Sequence, residues 1–197
     1  SLYCNSSGNN NHAFGFRGLY NNTTGCLNIV MGLDAGCANT TGKNNTFIGT
    51  LAGCSNTTSS YNTAVGSVAL LFNTTGTHNV AMGRYALYCN GTGVGNTALG
   101  HSALQCNTAS NNTSIGNNSM CANTTGSCHV AVGINALRAN TTGQRNVAVG
   151  FSALTDNTTG NFNTASGYMA LKANTTGCDN VAMGFCAMHI NSTGSNN

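Results

Sequence analysis

Apolar residues recur along this chain at a fixed spacing, in short runs that each end in glycine. The clearest run is Asn62-Thr63-Ala64-Val65-Gly66, and the same arrangement returns about every 17 residues from one end to the other. Every step between these marker glycines is 17 residues except the 16-residue step from Gly100 to Gly116. The markers are Gly15, Gly32, Gly49, Gly66, Gly83, Gly100, Gly116, Gly133, Gly150, Gly167 and Gly184. Such a period predicts a solenoid, in which each repeat is one coil that buries its apolar residues only against its neighbours.

The residues before each marker glycine have the pattern of a short β-strand. The positions three and one before the glycine are mostly Val, Ile, Thr, Met or Leu, as in Val80 and Met82, and a spacing of two places both on one face. The residue between them is usually alanine, as in Ala81, so the opposite face is small. We expect another sheet or chain to approach closely on that small face.

Two further sets of residues repeat in every coil. An Ala-Leu pair, such as Ala69-Leu70, follows the marker and predicts a second short strand or a bend that places the leucine inside, because the flanking Gly, Asn and Thr leave no room for an ordinary helix. Asn-Thr-Thr-Gly predicts a turn, in which Asn caps its own backbone and Gly supplies a positive φ. The 16-residue step falls at Asn107-Thr108-Ala109-Ser110, which lacks that glycine, and we expect a shortened turn there with the strands kept in register.

Together these features predict an all-β protein, a parallel β-solenoid with about 17 residues per coil. Residues 1–197 form a single elongated repeat domain with 11 marked coils and partial ends. A spacing of about 4.8 Å per coil gives a rod near 53 Å long. Because the chain starts and stops within a repeat, we expect it to be a slice of a longer array.

Charge and hydropathy limit the possible partners. Charged residues are only 5% of the chain, and the six basic residues are scattered, so the sequence has no nucleic-acid-binding footprint. It contains no uninterrupted apolar stretch of about 18 residues, the length that indicates a membrane span, and does not open with a signal-peptide pattern.

Residues that commonly carry catalysis do not share positions in the repeat. His12, His78, His101, His129 and His189 fall at five different positions of the coil, and Asp34, Asp156 and Asp179 at three. This argues against a metal-ligand cluster, a calcium-binding aspartate ladder and paired-carboxylate catalysis. We therefore predict no enzymatic activity, no catalytic residues, no metal site and no cofactor.

The Asn-x-Ala-apolar-Gly run resembles the head repeats of trimeric autotransporter adhesins of the YadA type. The longer form with Ala-Leu and Asn-Thr-Thr-Gly is similar to repeats of tail-fibre-domain proteins, and the resemblance covers all 11 markers. It implies a left-handed β-roll and a homotrimer. The period is longer than in the adhesin heads, and cysteines are present here.

Asparagine sequons, Asn-x-Ser/Thr, recur at the predicted turn. Because turns are usually exposed, we predict that these asparagines face solvent along the outer edge of the fibre, and each is a candidate N-glycosylation site in a secretory pathway. The alternative is that Asn-Thr-Thr-Gly is turn chemistry alone and carries no sugar. The candidates are Asn5, Asn22, Asn39, Asn56, Asn73, Asn90, Asn123, Asn140, Asn157, Asn174 and Asn191.

The chain contains ten cysteines, and whether they form disulfides indicates whether the protein is in an oxidising or a reducing compartment. Cys37 and Cys54 occupy the same position in adjacent coils, and so do Cys89 and Cys106. Neighbouring coils lie about 4.7 to 4.9 Å apart, which is within the Cα separation of a disulfide. We predict these two disulfides and hence an oxidising, extracellular setting; the alternative is buried free thiols that serve as small apolar residues.

Three function classes follow from these observations. The first is a structural segment, shaft or head, of an extracellular or cell- or virion-surface fibre, with copies of itself as partners in a homotrimer or stacked filament. The second is an adhesin head that binds a host surface or glycan. The third is an ice-binding protein, which needs flat threonine ladders, whereas the two adjacent threonines of the turn give only one such column.

Overall fold

A computed structural model describes residues 1–197 as a continuous stack of parallel coils. It contains 11 strands of three residues each and no helix, so the predicted all-β parallel solenoid is confirmed. The strands pair in chain order in one sheet. They are β1 His12–Phe14, β2 Ile29–Met31, β3 Thr46–Ile48, β4 Thr63–Val65, β5 Val80–Met82, β6 Thr97–Leu99, β7 Thr113–Ile115, β8 Val130–Val132, β9 Val147–Val149, β10 Thr164–Ser166 and β11 Val181–Met183.

The strands stay in register across the short repeat. Thr97 pairs with Thr113, as Val80 pairs with Thr97 in the preceding step. The missing residue is absorbed in the turn, where Asn107 Nδ2 donates to the carbonyl of Ala109 at 2.8 Å. The predicted shortened turn is therefore confirmed.

The small face of each strand is the interior of the coil. Ala64, Ala81 and Ala98, the middle residues of their strands, are completely buried. They lie in one core with the Ala-Leu pairs, such as Ala69 and Leu70, which reach the interior through a bend and not a second strand. The expectation that another sheet or chain approaches the small face is wrong, because the opposite wall of the same coil occupies that side.

The buried leucines have a left-handed backbone conformation. The φ angles of Leu70, Leu87 and Leu104 are 54°, 49° and 52°. This conformation costs an L-residue roughly 1–2 kcal/mol. Stacking offsets the cost, since it gives each such amide a partner in the next coil, as when Leu70 N–H donates to the carbonyl of Ala86 at 2.9 Å.

Glycine serves two different purposes in the coil. The marker Gly66 has a φ of 134°, and a Cβ there would lie 2.8 Å from the carbonyl carbon of Gly83. The turn glycine Gly76 lies in a tight space: its φ is not positive, but a Cβ would collide with the carbonyl of Gly93 and lie 2.5 Å from Asn73 Oδ1. The expected positive φ at the turn glycine is therefore wrong.

Candidate functional surface and buried ladders

The outer strand residues form a continuous uncharged face, in which mostly apolar third positions lie beside a first-position column that holds threonine in five strands. We call the outer face the two columns of residues at the first and third positions of the strands β1–β11. In mid-rod, Met82, Leu99 and Val149 are 40%, 44% and 39% exposed. The first-position column is β-branched from Ile29 through Val181, in ten consecutive strands. Sequence analysis placed these residues on one face but did not identify that face as the solvent-facing one.

The outer face carries no Lys, Arg, Asp or Glu. It is flanked by the residues that follow the marker glycines, which are apolar or aromatic toward both ends of the chain. At one end the exposed rings of Phe151, Tyr168 and Phe185 stack with centroids 5.3 and 5.1 Å apart. An uncharged surface of this length that exposes many large apolar side chains is typical of an interaction surface.

The turn asparagines form a buried hydrogen-bonded ladder. Asn73 Nδ2 donates to Asn56 Oδ1 at 3.0 Å and to the carbonyl of Gly76 at 2.9 Å, while Asn73 Oδ1 accepts from Asn90 Nδ2 at 2.9 Å. The bond to Gly76 is the predicted capping of the asparagine's own turn. The bonds to Asn56 and Asn90 connect one coil to the next, so the side chain also joins neighbouring repeats.

This ladder corrects the prediction that the sequon asparagines face solvent. All nine interior candidates are completely buried, because the coils above and below cover the amide; they are Asn22, Asn39, Asn56, Asn73, Asn90, Asn123, Asn140, Asn157 and Asn174. Asn5 is exposed and Asn191 is partly buried. A glycan on Nδ2 of an interior asparagine would need the nitrogen that the ladder uses.

A second ladder runs beside the strands and was missed by the sequence analysis. The asparagine before each strand, such as Asn79, has its backbone N–H bonded to Asn62 Oδ1 at 3.0 Å, and its Nδ2 donates to the carbonyl of Gly93 at 2.8 Å. The signal was present in the sequence as an asparagine four residues before nearly every marker.

His129 replaces an asparagine in this second ladder. Its Nδ1 accepts from the N–H of Asn146 at 3.1 Å, and its Nε2 lies 2.7 Å from the carbonyl of Gly143. A neutral imidazole with its proton on Nε2 therefore makes the same two contacts as the asparagine amide that it replaces. Burial lowers the pKa of His129 to about 4.

The ten cysteines are all free thiols in this structure. Cys37 Sγ and Cys54 Sγ lie 3.1 Å apart, whereas Cys89 and Cys106 make no sulfur–sulfur hydrogen bond, and Cys106 is exposed. The predicted pairs therefore differ: the first has a sulfur–sulfur hydrogen-bond contact and the second has none.

The structure has no pocket and no group of three or more His, Cys, Asp or Glu side chains arranged to hold a metal ion. None of its segments is a helix of the length and hydropathy needed to cross a membrane. No protein-family model, curated protein or solved structure matches the chain.

Proposed function

We propose that this chain is a structural repeat segment of an extracellular or surface fibre, in which copies of the chain associate through the outer face. The observation that carries this proposal is the exposed, uncharged outer face, which extends over all 11 strands. Each coil repeats the contacts of the previous one, so adding coils lengthens the rod without requiring a new core. The resemblance to adhesin heads and tail-fibre repeats supports a homotrimer as the expected assembly.

The size of the outer face is suitable for a stable interface. Each strand is three residues long at about 3.3 Å per residue, and the 11 strands are spaced about 4.8 Å apart. The outer face is therefore about 10 Å wide and about 53 Å long, which gives an area of roughly 500 Å² per copy. Adding the flanking column after the marker glycines brings the surface to about 700 Å² per copy, close to the roughly 800 Å² that one partner usually contributes to a specific complex. Burial of this surface would also remove exposed Met and Phe side chains, such as Met31 and Phe14, from water.

The mass of the protein in solution tests the proposal. We expect light scattering after size-exclusion chromatography to give a multiple of the 20.0 kDa chain mass. The variant Met82→Lys/Val149→Lys places two charges on the outer face and should be monomeric. Thr75→Lys/Thr142→Lys, which places the same charges at exposed positions of the turn, should keep the wild-type mass.

A wild-type chain that stays monomeric at all concentrations would contradict self-association. Electron microscopy tests the form of the fibre. Uniform rods or filaments are expected for a shaft. A compact head would favour the adhesin hypothesis instead.

A further inference from the structure

The coils of Gly32 and Gly49 depart from the repeat together. The leucine that fills the core in most coils is replaced by Gly36 in one and Gly53 in the other, and each glycine is followed by a cysteine. No other coil has Gly-Cys at this position. The two cysteines, Cys37 and Cys54, are stacked one above the other, and both are partly accessible.

The thiols of these two cysteines are already in contact. Their Sγ atoms lie 3.1 Å apart, and the hydrogen-bond network contains no other sulfur–sulfur contact. Neighbouring strands are about 4.8 Å apart, and a disulfide accepts Cα separations of about 4.4 to 6.8 Å. A bond therefore needs only a small movement of the two side chains.

The backbone before each cysteine is free of the strain found in the other coils. Gly36 and Gly53 have φ angles of 56° and 57°, a region that glycine occupies without the strain that leucine has in the other coils. An ion pair lies near the two cysteines, with Arg17 Nε 2.6 Å from Asp34 Oδ1. A thiolate at Cys54 is favoured by Arg17 and opposed by Asp34.

We propose that Cys37 and Cys54 are a redox-reactive dithiol, which a small-molecule disulfide converts to a cross-coil disulfide in the folded protein before the other eight cysteines react. The thiolate of Cys37 attacks one sulfur of the small disulfide, forms a mixed disulfide and releases one small thiolate. Cys54 then loses its proton and attacks Cys37 Sγ, and the second small thiol leaves. In total, two protein thiols are oxidised and one small disulfide is reduced to two thiols.

The order of the two steps follows from the surroundings of the sulfurs. Burial, followed by the hydrogen bond with Cys37, raises the pKa of Cys54 to about 12, so Cys54 is protonated at neutral pH. Because the thiolate is the nucleophile in exchange, we assign the first attack to Cys37, and Cys54, whose sulfur lies 3.1 Å away, resolves the mixed disulfide.

The test is a timed oxidation of the reduced, folded chain with oxidised glutathione, followed by alkylation and mass spectrometry of non-reduced peptides. We expect the first product to lose two hydrogen atoms and to contain the Cys37–Cys54 linkage. The variant Cys54→Ser should stop at a glutathione adduct on Cys37. Cys89→Ser, the matched control, should react as the wild type does.

The same oxidation in urea measures the reaction of the unfolded chain, in which the fold no longer holds any two of the ten thiols in contact. The Cys37–Cys54 bond should form several-fold faster in the folded protein, and the oxidised form should unfold at a higher temperature than the reduced form. An equal rate in urea, or a first linkage between any other two cysteines, would overturn the proposal. Neither result depends on whether the chain self-associates.

Discussion

Phe47 and Gly53 share one space in the core: a Cβ on Gly53 would lie 2.7 Å from ring carbons of Phe47. In most coils that space is filled by a strand alanine and a leucine, as by Ala64 and Leu70, and both are completely buried. The coil of Gly49 has exchanged the two sizes, with the large residue on the strand and the small one at the bend. Close packing of a narrow interior makes the two positions interdependent.

This relationship predicts strong coupling between substitutions at the two positions. Phe47→Ala should destabilise the protein by about 3–5 kcal/mol because it leaves a cavity. Gly53→Leu should also destabilise it because the new side chain collides with the ring. The double variant restores the Ala and Leu of the other coils and should recover most of the loss, as measured by urea unfolding. Losses that simply add would show that the two positions are independent.

The neighbouring coil provides a matched test in the reverse direction. Ala64→Phe should destabilise the protein because Leu70 already fills the interior. Adding Leu70→Gly should relieve the collision and recover stability. Thermal unfolding of the single and double variants measures this; a double variant no better than Ala64→Phe alone would contradict the exchange of sizes.

His129 predicts acid sensitivity at one coil. Its folded pKa of about 4 is below the ordinary value of 6.5, so between these values the unfolded chain binds a proton that the folded chain does not. The free energy of unfolding is therefore at its full value above about pH 6.5 and falls as the pH drops toward 4. At about 1.36 kcal/mol per pKa unit, the total loss is about 3 kcal/mol. Urea unfolding at a series of pH values measures this slope.

The variant His129→Asn restores the ladder residue and should remove most of the slope. His101→Asn is the control, since His101 is exposed and outside both ladders. It should keep the wild-type pH profile. A slope that is unchanged by His129→Asn would mean that other groups cause the acid sensitivity.

The turn ladder predicts a large effect of interior asparagines on stability. Asn73→Ala removes the contacts of Asn73 Nδ2 with Asn56 Oδ1, Ser59 Oγ and the Gly76 carbonyl, together with the bond that Asn73 Oδ1 accepts from Asn90. The Gly76 carbonyl still accepts from Asn62 and the Asn90 amide still donates to Gly93. Because each lost hydrogen bond costs about 0.5–1.5 kcal/mol, we expect a loss of about 1–3 kcal/mol. Asn5→Ala, at an exposed position, should have a much smaller effect in the same unfolding assay.

Burial of the sequons predicts little N-glycosylation of the folded chain. When the chain is secreted from a cell that attaches N-glycans, we expect no sugar on the nine interior turn asparagines, because a sugar there would prevent the coil from closing. Any glycan should map to sequons outside the ladder, such as the exposed Asn5, Asn21, Asn44 and Asn111. Intact mass before and after deglycosylation, with peptide mapping, measures this. A glycan mapped to Asn73 or Asn140 in folded protein would contradict the buried ladder.

Much of the fold was predictable from the spacing of residues alone. The marker glycines gave the period and the position of every strand, and the short step at Gly116 was correctly assigned to a turn. Leu70 and its equivalents were correctly placed inside. These features depend on local chemistry that repeats in each coil, so one sequence of 11 repeats provides the pattern many times.

Only the tertiary structure decided which strand face is the interior and where the asparagines point. A three-residue strand such as Val80-Ala81-Met82 has two faces, and hydropathy alone favours burying Val80 and Met82. The coil is too narrow for them, so Ala81 is inside and the larger side chains form the outer face. Asn73 has the residue type of an exposed turn; it is buried because stacking places another amide above and below it, a contact that exists only between coils.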